Sequence, residues 1–102
     1  MAKIKITVVK KVSNKELYGD NPPLTLTDVP VCPRLEVGQE FVFDPSQIPE
    51  GMCPWAYADI QRDITHLRWS GSFPWIKEKN ATLSCCSDGS RPVIFKIELL
   101  EP

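Results

Sequence analysis

Residues 3–12 alternate, with Ile4, Ile6 and Val8 on one side and Lys3, Lys5 and Thr7 on the other. A period of two with one apolar side is the pattern of a half-buried β-strand. It returns near the other end of the sequence, where Val93, Phe95, Ile97 and Leu99 alternate with Ile94, Lys96 and Glu98. Pro92 has no N–H to give to a ladder, so it fits only at the start of that strand or on a sheet edge. Residues 35–44 read as strand, turn, strand about Gly38, and 81–86 as a strand followed by the turn-forming run Ser87-Asp88-Gly89-Ser90.

Over 54–68 the period changes. At helical spacing Ala56, Tyr57, Ile60, Ile64 and Leu67 fall within an arc of about 100°, a core-facing stripe. Asp59, Arg62 and His66 fall on the opposite side, where Asp59 and Arg62 make a simple surface ion pair and His66 a solvated residue. Pro54 suits the first helical position, which puts Cys53 at the N-cap, a seat usually taken by Ser, Thr, Asp or Asn. Ser13-Asn14-Lys15-Glu16 has the form of a capping box and predicts a short helical turn up to Gly19. Seven of the ten prolines lie between Pro22 and Pro54, which rules out a long helix or a central strand there.

These elements predict an α+β fold in a single domain over 1–102: a small antiparallel sheet from 3–12, 35–44, 81–86 and 91–99, packed against one main helix at 54–68. The first and last strands should share a sheet whose apolar face meets Tyr57, Ile60, Ile64 and Leu67. In the loop Trp69-Ser70-Gly71-Ser72-Phe73-Pro74-Trp75, at least one of the two indoles should be buried as an edge to a small core.

Length and charge narrow the function classes. With 102 residues the chain can bury one core, and at a formal net charge of -1 its scattered Lys and Arg form no basic stripe for nucleic acid. The start of the sequence has no long apolar run, so neither a leader nor a membrane span is expected. The cytoplasm, where thiols stay reduced, is the expected compartment. There is no Gly-rich phosphate loop, no G-x-S-x-G and no H-E-x-x-H, so no cofactor can be named.

The chemistry then rests on Cys32, Cys53, Cys85 and Cys86. No C-x-x-C occurs, so a metal held by these four would have to be assembled from distant loops. At the helix start, free N–H groups and the helix dipole favour a Cys53 thiolate, whereas its place near the apolar arc favours a buried, inert thiol. By alternation Cys85 shares a face with Leu83 and should pack in the core, while Cys86 shares one with Thr82 and Ser84 and should be accessible. Cys32, in a loop before Pro33, fits either role.

Taken together, Cys32-Pro33, Gly51-Met52-Cys53 with Trp55-Ala56, Phe73-Pro74-Trp75, and Cys85-Cys86-Ser87-Asp88-Gly89 followed by Arg91-Pro92-Val93 resemble the pattern of a family of small, uncharacterised prokaryotic cysteine-containing proteins of about this length. The resemblance runs from Lys3 to Glu98. It implies a stand-alone cytoplasmic protein with Cys32, Cys53, Cys85 and Cys86 as signature positions, and it carries no activity or cofactor.

Three readings follow. The first is a thiol-bearing binding module in which Cys53, Cys86 and Cys32, with Trp55 beside them, converge near the helix start on a metal or a small ligand. The second is an interaction or homo-oligomerisation module with the aromatics of 69–75 as contact surface and the cysteines as packing. An enzyme using a Cys53 thiolate comes third, because His66 projects away from Cys53 around the helix and no other base is at hand.

Overall fold

The computed structural model describes residues 3–100. The two cleanly alternating segments become β1 (Ile4–Lys11) and, at the far end, β4 (Val93–Leu99). They pair antiparallel at the centre of a four-stranded sheet of order β2-β1-β4-β3, with β2 (Glu40–Phe43) and β3 (Ala81–Cys85) as short edges. The long strands take the centre because each has a continuous apolar row to bury. Ile4, Ile6 and Val8 from β1 and Val93, Phe95 and Ile97 from β4 are fully covered.

What covers them is α2 (Pro54–Arg68), whose buried stripe is Ala56, Tyr57, Ile60, Ile64 and Leu67 as expected. Phe41 and Phe43 extend this core under β2, and Leu35 and Met52 close it from the loops. Burying one Ile, Leu or Phe side chain contributes about 1.5–3 kcal/mol, so this single layer between helix and sheet holds the fold. The opposite face of the sheet is studded with charge, including the pairs Lys5–Glu40 at 3.2 Å and Lys96–Glu98 at 3.4 Å. The first helix, α1 (Asn14–Tyr18), is one turn with the capping box in place: Ser13 Oγ accepts the Glu16 N–H at 2.9 Å, and Glu16 reaches back to the Ser13 N–H.

The fold differs from the sequence reading in three places. Residues 35–39 form no strand. Gly38 turns at φ 91°, and only its N–H and the carbonyl of Gln39 bond to Val8. Beside this contact β1 carries a bulge between Val8 and Lys10, which ends the strict alternation. The faces of β3 are also the reverse of the expected ones. Thr82 is 2% exposed on the core side, whereas Leu83 is 56% exposed on the open side. Consequently Cys85 is exposed, and Cys86, one residue past the strand, turns inward and packs partly against the core. An edge strand under a helix needs only modest apolarity on its inner face, so the position of Leu83 misled the alternation argument.

The aromatic loop is the third difference. Trp69 and Trp75 are 71% and 74% exposed, and the half-buried ring is Phe73 instead. Phe73 meets the His66 ring edge-on at 4.8 Å, and His66 Nε2 hydrogen-bonds the Ser72 carbonyl at 2.9 Å. His66 is exposed as expected, yet it organises the loop that follows the helix.

Candidate functional site

Pro54 begins α2 and Cys53 is its N-cap, with extended backbone at φ -63° and ψ 121°. The Cys53 carbonyl accepts the Tyr57 N–H at 2.9 Å, as an N-cap should. Its sulfur makes no capping hydrogen bond, so the early N–H groups of the helix are not closed off by this side chain.

Three segments meet around this helix start. The Pro-rich connection brings Cys32, Pro33, Arg34 and Leu35; the helix start brings the N-cap Cys53 with Trp55 and Ala56; and the turn after β3 brings Cys86 through Arg91 and Val93. Together they enclose a cavity of ≈ 570 Å³. Cys32, Cys53, Cys86 and Trp55, the residues singled out as ligand-binding from the sequence, all line it. Cys85 does not. Its sulfur stays beside its own strand and donates to the Cys86 carbonyl at 3.1 Å.

The turn is pinned by contacts that sequence patterns did not reveal. Trp55 Nε1 donates to Ser87 Oγ at 3.0 Å, and the Ser87 N–H donates to Asp59 Oδ2 at 2.7 Å, so one helix face at i and i+4 clips the loop. Asp59 is therefore no partner of Arg62, which approaches Asp63 at 3.7 Å instead. Within the turn, Asp88 Oδ1 accepts from Ser90 Oγ at 2.6 Å, the Ser90 N–H at 2.9 Å and the Arg91 N–H at 3.3 Å. The hydrogen bond from the Ser90 hydroxyl, followed by those two N–H groups and the Arg91 charge, holds the Asp88 carboxyl below its ordinary range. Tyr18 donates from α1 to the Gly89 carbonyl at 2.7 Å and ties the rim from outside.

Cys86 ends the β3–β4 ladder in an unusual way. Its N–H donates to the Val93 carbonyl at 3.1 Å, and the Val93 N–H returns to the Cys86 sulfur at 3.3 Å. In a regular antiparallel rung the carbonyl of Cys86 would take that N–H. Here the carbonyl accepts from the Cys85 thiol, and the Cys86 sulfur completes the rung.

All four cysteines are free thiols. Among the described residues no group of three or more His, Cys, Asp or Glu side chains is placed to hold a metal ion, so the four-cysteine metal set expected from the sequence is not assembled. His66 sits roughly 20 Å along the helix from Cys53, too far to serve it as a base. No helix among the described residues is long and apolar enough to cross a membrane. What the site offers is a mixed wall of sulfur, one indole, two arginines and a carboxylate around the start of a helix. Comparison with protein-family models, with curated proteins and with solved structures gives no match.

Proposed function

We propose that the protein is a thiol-bearing module that binds a small ligand in the cavity at the start of α2. The observation that carries this is that Cys32, Cys53 and Cys86, from segments far apart in sequence, line one cavity of ≈ 570 Å³. That volume lies within the range of about 300–1,000 Å³ usual for small-molecule sites, and a few polar groups set in an otherwise apolar lining fit the same class. A small molecule is favoured over a bound ion because among the described residues no metal-ligating group of side chains is formed. The reading places the protein in the cytoplasm, where these thiols stay reduced.

The test is a titration of the reduced protein with acetate, inorganic phosphate and N-acetylcysteine, followed by amide chemical shifts. Shifts concentrated at 32–35, 53–56 and 86–93 are expected. Shifts absent there for every probe overturn the reading.

A second reading, an interaction module working through 69–75, is favoured by one observation: Trp69 and Trp75 are both exposed while Phe73 and His66 hold the loop in shape. In that case Cys32, Cys53 and Cys86 serve as packing against the core. Concentration-dependent self-association that disappears in the double variant Trp69→Ala/Trp75→Ala supports it, and a monomer at all concentrations removes its oligomerisation form.

A further inference from the structure

The thiols of the cavity are not equivalent. Among the described residues, Cys86 is the only one of the three lining cysteines whose sulfur accepts a hydrogen bond, from the Val93 N–H at 3.3 Å. That contact fixes the direction of a half-buried sulfur on the cavity wall. The Cys53 and Cys32 sulfurs have no such anchor.

The charges of the lining are not balanced either. Its charged residues are Arg34, Arg91 and Asp88. Arg91 Nε approaches Asp88 Oδ2 at 3.6 Å, and the other oxygen of Asp88 is filled by the turn. Among the described residues Arg34 has no carboxylate partner, so its guanidinium is free on the wall, while the nearby Asp59 carboxylate behind Ser87 is engaged by the Ser87 N–H at 2.7 Å. The N–H groups of Trp55 and Ala56 at the helix start add potential of the same sign. A free guanidinium presents a planar fork that suits a carboxylate.

We infer that the cavity captures a small anionic disulfide covalently, with Cys86 as the attacking thiol and Arg34 as the group that selects the negative charge. This rests on the small-ligand reading above and adds to it a ligand class and a reacting atom. In the step, the Cys86 thiol loses its proton to water and its sulfur attacks one sulfur of the disulfide. A protein–ligand S–S bond forms as the ligand's own S–S bond breaks. The departing half leaves with the bonding pair as a thiolate and takes a proton from water. The incoming disulfide is the oxidant, and one of its halves is released as a thiol.

The experiment uses the reduced protein with dithiodiglycolate, a dianionic disulfide, and cystamine, a dicationic one of similar size, with adducts located by peptide mass mapping. Dithiodiglycolate should mark Cys86 ahead of Cys32 and Cys53, and at Cys86 it should outpace cystamine by about tenfold at low salt. The preference should shrink in Arg34→Gln and at high salt, with none of this at the exposed Cys85. Equal rates for the two disulfides at Cys86, or first capture at Cys53 or Cys32, overturn the inference. Cys86→Ser keeps an oxygen for the Val93 N–H and should lose the adduct while its amide spectrum outside 86–93 stays that of the folded protein. If acetate still shifts the cavity amides and neither disulfide marks Cys86, this inference fails and the small-ligand reading stands. If the acetate shifts are absent as well, both fail.

Discussion

Cys86 and Val93 exchange two hydrogen bonds, the Cys86 N–H to the Val93 carbonyl and the Val93 N–H to the Cys86 sulfur. Val93 is buried, so removing the sulfur leaves its N–H without a partner. Cys86→Ala should cost about 1–3 kcal/mol, the usual penalty for a stranded buried donor. Cys86→Ser should cost less, since an oxygen can take the same N–H. Urea unfolding of the two variants checks the order, and an equal loss in both would mean that the sulfur's packing, not its acceptor role, matters here.

The neighbouring thiol should behave differently from its exposure. Cys85 stands on the open side of the sheet, yet its thiol is pushed up from its ordinary value, first by partial burial of the sulfur and then by Cys86 and Asp59 nearby. Its alkylation by iodoacetamide should therefore gain speed only at a pH above the ordinary thiol value of about 8.5. Asp59→Asn removes one negative neighbour and should move that midpoint down. Rates at Cys85, read by peptide mapping against pH, test both statements.

Gly71 lies against His66. A Cβ built at this position would collide with the imidazole ring, on Nε2 and both flanking carbons. Gly71→Ala should push the ring off Phe73 and off the Ser72 carbonyl, at a cost of about 1 kcal/mol. In the background His66→Ala the same substitution should be close to neutral, because the obstacle is gone. Thermal unfolding of the four proteins in this cycle measures the coupling, and an undiminished loss in the double variant would contradict it.

Asp88 gives the cavity rim a dependence on acid. Its carboxyl is held below its ordinary range by the Ser90 hydroxyl first, then by the N–H groups of Ser90 and Arg91 and the Arg91 charge. A depressed carboxyl stabilises the fold fully above its unfolded value of about 3.9, and that contribution is lost as pH falls through the lower folded value. Amide exchange at 88–91 should therefore lose protection below about pH 4, beyond the intrinsic change in exchange rate. In Asp88→Asn that acid step should be missing.

The legible parts of the fold were those where one period dominates. β1, β4 and α2 each bury an unbroken apolar row, so alternation or helical spacing located them and their inward faces. β3 has no such row. Its inward residue is the polar Thr82 and its largest apolar side chain points out, so the assignments of Cys85 and Cys86 were exchanged. Residues 35–39 look like a strand by composition but make only two contacts with Val8, next to a bulge that no local pattern announces. At the site, the presence of the cysteines and the Pro54 helix start drew attention to Cys32, Cys53, Cys86 and Trp55, which line one cavity although no cysteine spacing announced it. Arg34, Ser87 and Asp59 were missed because their roles depend on which segments meet, and a charge in a proline-rich stretch looks like any solvated residue.

The placement of β1 and β4 side by side at the centre has a consequence for how the molecule is made. Each edge strand has a single neighbour in the sheet, β1 for β2 and β4 for β3, and β4 comes after the other three in chain order. While β4 is still inside the ribosome, β1 and β2 can form only an isolated antiparallel pair, which is marginal in water, and β3 has nothing to join. The sheet therefore closes in one late event that spans nearly the whole chain, the kind of non-local pairing that folds slowly. Until then the inner rows of β1 and α2 and the cysteines of the cavity are all open to solvent, so the nascent protein passes through a stage in which these thiols stand on unformed walls.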